Sequence, residues 1–237
     1  MSAIVIGASG GIGRALTLAL ARNSKSGTIY ALSRRKTGDW PSGVVPGYLD
    51  LLDEASIKAA ADRIAEAGTP DLVLIATGFL SNGETQPEKS WRHQELQAYR
   101  RVFDINTFGP ALIAKHFLPI MPTDRRAIFA ALSARVGSIS DNGLGGWHAY
   151  RASKAALNML IRNFAIEWAR RNDQAVCVGL HPGTVDTGLS KPFQSNVPED
   201  RLFSAKQSAS YLLDVIERLS PADTGKVFDW AGKEIPA

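Results

Sequence analysis

Tyr150 and Lys154 stand four residues apart in Tyr150-Arg151-Ala152-Ser153-Lys154, where a strong helical pattern begins and runs on through Ala155-Ala156-Leu157. Residues at i and i+4 share a helix face, so a phenol hydroxyl and an ammonium can point into one cleft. A free Tyr has a pKa of about 10 and shuttles protons poorly near neutrality. A neighbouring positive charge lowers that value and makes the phenol a usable acid or base. The spacing alone is common by chance, and a surface Tyr/Lys pair is its ordinary explanation. Its weight therefore depends on what the rest of the chain places around it.

A second constellation lies at the N-terminal end. Ile4-Val5-Ile6-Gly7-Ala8-Ser9-Gly10-Gly11-Ile12-Gly13-Arg14 runs from a strand into a helix, with glycines at 7, 11 and 13 in the pattern G-x-x-x-G-x-G. Gly7 permits a tight turn, Gly11 lets the backbone approach a pyrophosphate, and Gly13 lets helix and strand pack closely. The helix N-terminus adds free N–H groups and the positive end of its dipole. A glycine motif alone is weak evidence, but opening a strand-helix-strand unit is the context expected of a dinucleotide site. At the end of the second strand stands Leu32-Ser33-Arg34-Arg35-Lys36, three cations where an NAD site carries a carboxylate. Cations there suit a 2′-phosphate, with Arg34 placed for a bidentate contact and Ser33 and Arg35 beside it. The bland alternative is an exposed basic turn. The cofactor expected is NADP(H), whose oxidised ring adds positive charge near the Tyr150 hydroxyl.

The elements that must position these groups alternate along the chain. Ala3–Ile6, Thr28–Leu32, Leu72–Ala76, Ala127–Leu132 and Ala175–Leu180 are apolar on both faces and read as buried parallel strands. Residues 44–49 form a further short strand, interrupted by Pro46. Helical stretches lie between them at 13–22, 54–67, 95–117, 149–171 and 205–219, with Asp53 and Ser204 as N-caps of two. The alternation implies a single doubly wound α/β domain of Rossmann type, a parallel sheet of about seven strands with helices on both faces. Residues 79–92 and 185–204 break the rhythm. Both follow predicted strands, so they belong at the carboxyl end of the sheet, where ligands bind.

Composition narrows the alternatives. A chain of 237 residues is about 1.6 times a typical domain, and no linker divides it. One cysteine excludes an intramolecular disulfide framework, and the histidines at 93, 116, 148 and 181 lack metal-ligand spacing, so no metal is expected. Cys177 reads as a small core residue. His148, Trp147 and Phe193 are either lining residues of a pocket or ordinary surface and packing residues. The net charge of +4 comes from scattered pairs such as Arg34-Arg35, Arg125-Arg126 and Arg170-Arg171, a solvated surface rather than a nucleic-acid stripe. No apolar run approaches a membrane span and no secretory signal is evident, so a cytoplasmic protein is expected.

With these residues in place, the sequence resembles the short-chain dehydrogenase/reductase family along essentially the whole chain. The segments Gly137-Ser138-Ile139-Ser140-Asp141-Asn142, 150–159 and Gly225-Lys226-Val227-Phe228 are similar to its C-factor/sniffer carbonyl-reductase branch. The resemblance implies that the cofactor loop Gly7–Gly13 includes Ser9, Gly10 and Ile12 as contacts. It implies that Asp50, followed by Leu51, binds the adenine amino group, and that Asn106 holds a proton-relay water. Ala76, Thr77 and Gly78 would lie near the adenosine ribose. Pro182 and Gly183 would pack beside the nicotinamide, with Val185 next in line and Thr187 near the carboxamide. Residues up to about 135 would form the cofactor half and 136–237 the catalytic and substrate half. A small carbonyl or alcohol is the implied substrate. A homodimer or homotetramer would pair the helices at 95–118 and 149–171.

Two departures from the family pattern stand out. Ile75-Ala76-Thr77-Gly78 replaces Asn-Asn-Ala-Gly, removing two side-chain amides that brace the sheet. Ala134 stands where the family carries its carbonyl-polarising serine, three residues before Gly137. Ser133, 17 residues before Tyr150, is the candidate replacement. Alternation along a strand turns it away, although the backbone is leaving the strand at that point. Ser138 and Ser140 are loop alternatives. Loss of such a donor slows a reaction by a factor of about 10² to 10³. The expected activity is NADP(H)-dependent interconversion of a carbonyl and an alcohol, with Tyr150 as proton donor or acceptor. The alternative is a catalytically weak or inactive NADP(H)-binding sensor or signalling protein.

Overall fold

The computed structural model describes residues 2–23, 27–35, 38–195 and 197–237, and Lys36 of the basic turn lies outside them. An eight-stranded sheet runs through the centre in the order β10-β9-β6-β5-β4-β1-β2-β3. Its strands are β1 (Ala3–Ile6), β2 (Ile29–Ser33), β3 (Val44–Tyr48), β4 (Leu72–Ile75), β5 (Ala127–Leu132), β6 (Ala175–His181), β9 (Val227–Asp229) and β10 (Glu234–Ile235). All pairs are parallel except β9 with β10. That antiparallel hairpin takes the count to eight rather than about seven. Its turn is closed by Asp229, whose carboxylate accepts the N–H groups of Ala231 and Lys233.

The central strands form because both of their faces are covered. Ala3, Val5, Leu72 and Leu74 pack beneath α1 (Gly11–Arg22) and α6 (Ala205–Arg218). Ile4, Ile6, Val73 and Phe129 face α2 (Glu54–Ala67), α4 (Gly109–Phe117) and α5 (His148–Ala169). Each of the larger side chains, fully buried, contributes roughly 1.5–3 kcal/mol. Pro46 is accommodated because β3 is an edge strand, pairing only with β2. Asp53 caps α2 by accepting the Ala55 N–H, and Ser204 forms a capping box with Gln207 at α6.

The stretch expected as one helix over 95–117 is instead three pieces. α3 (Leu96–Phe103) is followed by a π-helical turn, Asp104–Phe108, and then α4. Pro110 is the cause on the sequence side, because it has no N–H to return to the Asn106 carbonyl four residues earlier. The wide turn falls at Asn106 itself, and such turns recur at functional sites. Beyond β6, the short strands β7 (Thr184–Val185) and β8 (Leu202–Phe203) pair to clasp the base of the irregular 186–201 segment. No helix among the described residues is long and apolar enough to cross a membrane.

Candidate active site

The carboxyl ends of β1, β4, β5 and β6 open into one cleft of about 640 Å³. On one side is the glycine turn. Gly7 and Ala8 donate their N–H groups to Leu32 O, and Ala76 donates to Ile6 O, so the turn is tied to strands on both sides. Gly7 has a φ of 89°, a conformation that L side chains rarely adopt. A Cβ at Gly13 would stand 2.2 Å from Gly7 O, so the helix can begin this close to the strand only with glycine there. Gly10 occupies the N-cap position of α1 and offers no side-chain cap, leaving first-turn N–H groups for a ligand. Ser9, Gly10, Gly11 and Ile12 form the cleft wall, and Thr187 comes over them from across the cleft. A Cβ on Gly11 would lie 2.8 Å from Thr187 Cγ2, inside the space the cradle leaves. The buried Thr77 hydroxyl on the same wall has no protein partner. An uncapped helix start, adjacent glycines at 10 and 11 and an unsatisfied hydroxyl fit a dinucleotide.

The opposite wall carries Tyr150 and Lys154, which α5 presents one turn apart. Lys154 is buried; its Nζ donates to Leu132 O at 2.8 Å and stands 5.9 Å from the Tyr150 ring centroid. Burial pulls the ammonium down to about 7 and pushes the Tyr150 hydroxyl up to about 12. The upward direction for Tyr150 is the reverse of the lowering expected from a neighbouring ammonium, because desolvation of the phenolate outweighs it here. Tyr150 therefore holds its proton firmly at neutral pH and is suited to giving it to a substrate oxygen that is gaining charge.

Asn106 braces this arrangement. Its amide pairs with both backbone groups of Phe79, accepting from the N–H and donating to the carbonyl at 2.8 Å each, and it also donates to Ser153 Oγ at 3.1 Å. One side chain thus ties the end of β4 to α5, the region where the amides of Asn-Asn-Ala-Gly are missing. Ser133 lies on the cleft wall, but its hydroxyl donates to Asn158 Oδ1 at 2.6 Å. Ala134 shares that wall. Ser138 donates to Ala237 O at 3.5 Å, and the Ser140 hydroxyl goes to the same carbonyl, so both loop serines face away from the cleft.

The outer part of the cleft is apolar: Leu80, Val136, Trp147, Leu189, Phe193 and Val197 line it. Trp147 meets the Tyr150 ring edge-on with centroids 6.2 Å apart and the Phe193 ring at 5.1 Å. His181, at the end of β6, also lines the cleft and has a buried Nδ1 without a partner. Burial, opposed by the Asp229 charge and reinforced by Arg135, pulls its imidazole down to about 4 and keeps it neutral.

The structure brings together most of the residues expected from sequence. Ala76, Thr77, Gly78, Pro182, Gly183, Val185 and Thr187 join the glycine turn and the Tyr/Lys pair on the wall. Gly7 and Gly13 support that wall from behind. Arg35 reaches it, whereas Arg34 is exposed and does not form part of it. The buried Ser33 hydroxyl orders this turn by donating to Arg35 O at 2.7 Å. Asp50 and Leu51 stand outside the wall; Asp50 Oδ1 accepts the Leu52 N–H at 3.1 Å, and Leu51 packs near Gly109. His148 is not on the wall, and Cys177 is core, its thiol pushed up by burial. Sequence reasoning missed Asn158, although its spacing of four residues from Lys154 places it on the same helix face. It also missed Glu88, which no local pattern marks.

Comparisons with known proteins agree with this geometry. The family model described as short chain dehydrogenase matches residues 1–198. The chain is 37% identical over 136 residues to C-signal of Myxococcus xanthus, covering 57% of this chain and 76% of that protein. It is 32% identical over 184 residues to 1-hydroxy-2-glutathionyl-2-methyl-3-butene dehydrogenase of a Rhodococcus species, covering 77% and 75%. Among solved structures, the NADPH-bound carbonyl reductase from chicken fatty liver superimposes with a TM-score of 0.85 at 27% identity, over 100% of this chain and 98% of that one.

Proposed function

This chain belongs to the short-chain dehydrogenase/reductase family, in the branch of C-signal and the carbonyl reductases, and from that premise we propose that it is an NADP(H)-dependent oxidoreductase acting on carbonyl and CH–OH groups. The observation that carries the reading is the shared cleft, with the uncapped glycine turn on one wall and Tyr150 with Lys154 on the other. A nicotinamide dinucleotide held by Ser9–Gly13, Arg35, Thr77 and Thr187 would supply the hydride. The protein supplies binding, orientation and the proton. Residues to about 135 seat the dinucleotide, and 136–237 contribute the catalytic helix and the substrate wall. Asp50 with Leu51, and Arg34 with Ser33, complete the adenosine side of this assignment.

In the reducing direction Tyr150, its hydroxyl raised to about 12 and so protonated at neutral pH, would give its proton to the developing alkoxide. Lys154, near 7, can return a proton to Tyr150, and Asn106 holds the helix that carries both in register. Ser133 is assigned to the carbonyl oxygen, which it reaches by rotating its hydroxyl away from Asn158. That same hydrogen bond favours a second reading, a weakly active or inactive NADP(H)-binding sensor, because Ala134 offers no donor of its own. The apolar outer cleft suits an uncharged small-molecule substrate. The reading includes a cytoplasmic location and a homodimer or homotetramer. Exposed Leu96 and Phe108 in the first of these segments, and exposed Met159 and Ile166 on α5, support pairing through the helices at 95–118 and 149–171.

The test is NADPH and NADH consumption by the purified protein with activated ketones, aldehydes and quinones. Turnover that favours NADPH and disappears in Tyr150→Phe with dinucleotide affinity retained is the expected result. Binding without turnover at high protein concentration would move the sensor reading ahead.

A further inference from the structure

Glu88 lies in the irregular segment between β4 and α3, yet it is only 5% exposed, the one acidic side chain buried among the described residues. Its two carboxylate oxygens accept the Ala149 N–H at 3.3 and 3.4 Å, and its backbone carbonyl accepts the Trp147 N–H at 2.6 Å. These N–H groups belong to the N-cap and the second residue of α5, the helix that carries Tyr150. The helix has no cap of its own: Trp147 occupies the N-cap position with φ 50° and ψ 42°, and its side chain makes no cap hydrogen bond. It is the only non-glycine residue at positive φ among the described residues. A bulky residue in that conformation persists only where its surroundings hold it.

What holds Trp147 is visible on each side. Glu88 takes its N–H, Phe193 and Tyr150 contact its ring, and Arg151 ties the preceding turn by donating from Nε to Gly146 O at 3.1 Å. The buried carboxylate faces the positive end of a 22-residue helix, a favourable place for a negative charge. We infer that Glu88 is the positioning residue for Tyr150: it caps the catalytic helix from a loop 61 residues away, sustains the left-handed turn at Trp147, and so sets the angle at which the Tyr150 hydroxyl enters the cleft. The inference rests on Tyr150 being the proton donor. Glu88 itself touches no reacting atom. A misplacement of about 1 Å in a reacting group can cost on the order of 10²-fold in rate, so a small loss of register here is large in turnover.

The test compares Glu88→Asp, Glu88→Ala and Glu88→Gln. Asp keeps the charge and the backbone grip on Trp147 but is one methylene too short to reach the Ala149 N–H. Gln keeps an acceptor at full reach. For Asp and Ala, kcat is expected to fall by roughly tenfold to 10²-fold, with KM for the dinucleotide within about twofold of the parent. Gln is expected to retain most of the parent turnover. Amide hydrogen exchange of the cofactor-free protein supplies the second readout: faster exchange confined to residues 149–151 in Asp and Ala, with the rest of α5 unchanged. If Ala does not fold, the Asp and Gln pair decides alone. Parent-like kcat and exchange in Asp would overturn the assignment, and so would equal losses in Gln and Ala. A Tyr150→Phe protein that still turns over would refute the proton-donor reading instead, and the exchange result would then stand by itself as a capping measurement.

Discussion

The Ser133 hydroxyl donates to Asn158 Oδ1 at 2.6 Å, across 25 residues of sequence, from a position on the wall that faces Tyr150. In this chain the neighbouring position, Ala134, carries no hydroxyl to do the same work. Whether Ser133 serves the substrate therefore depends on a single rotation of its proton from Asn158 to a carbonyl oxygen. Removing one hydrogen-bond donor to a developing oxyanion costs about 10² to 10³ in rate. Ser133→Ala is expected to lower kcat by that factor without weakening dinucleotide binding, and Ala134→Ser added to it to recover most of the loss. An unchanged kcat in Ser133→Ala would show that the carbonyl is polarised by another group.

The proton inventory of the opposite wall gives a pH signature. Lys154 is pulled down to about 7 by burial, so its ammonium is lost as pH rises through neutrality, while Tyr150, near 12, keeps its proton throughout. The parameter kcat/KM for the dinucleotide reports groups of the free protein. In the reducing direction it is expected to be flat below about pH 6 and to fall toward one decade per pH unit above 7. Lys154→Arg, which stays protonated, should remove that limb even where it lowers the plateau. A profile flat to pH 9 in the parent would mean that the ammonium is not required.

Selectivity between dinucleotides is expected to follow the turn after β2. Arg35 forms part of the cleft wall and Arg34 does not, although both are exposed and adjacent. A hydrogen bond to a charged group is worth about 1.5–3 kcal/mol, a factor of roughly 10 to 10². Arg35→Asp is expected to weaken NADPH binding by at least that factor while changing NADH binding little, because NADH has no 2′-phosphate to repel. Arg34→Asp should show the smaller effect. Titrations read by tryptophan fluorescence quenching decide between them, and a larger effect at Arg34 would place the 2′-phosphate on the solvent side of the turn.

The parts legible in the sequence are those whose signals are local. β1, β4, β5 and β6 are runs of residues buried on both faces, and Asp53 and Ser204 cap where their side chains predict. The glycine turn and the Tyr150/Lys154 pair could be read because their chemistry is set by spacings of a few residues. β10 was not readable, since two residues carry no period. The amphipathic pattern over 95–117 hid a π-helical turn that Pro110 imposes. Contacts made across long stretches of chain leave no such trace. The Glu88 grip on Ala149, the Ser133 bond to Asn158 and the amide pairing of Asn106 with Phe79 all depend on where the sheet sets its loops. That Arg35 and not Arg34 lines the cleft likewise depends on the turn that the Ser33 hydroxyl orders.

His181 links the site to acid stability. Its imidazole is held neutral, at about 4 against an ordinary value of 6.5, chiefly because burial disfavours the charged ring. Between pH 6.5 and 4 the unfolded chain binds a proton that the folded protein does not, so stability falls as pH falls through that window. The sign is that of a depressed histidine: no penalty above 6.5, and the full penalty below about 4. Over 2.5 pH units the loss reaches at most roughly 3 kcal/mol, the Asp229 charge already opposing the effect of burial. His181→Gln retains a polar side chain of similar reach without the titration. Urea unfolding of parent and variant between pH 4 and 7 should give curves that converge at pH 7 apart from a constant offset and diverge below 6.5, with the parent falling faster. Parallel curves across the whole range would mean that the ring opens to solvent and takes its proton without unfolding the protein.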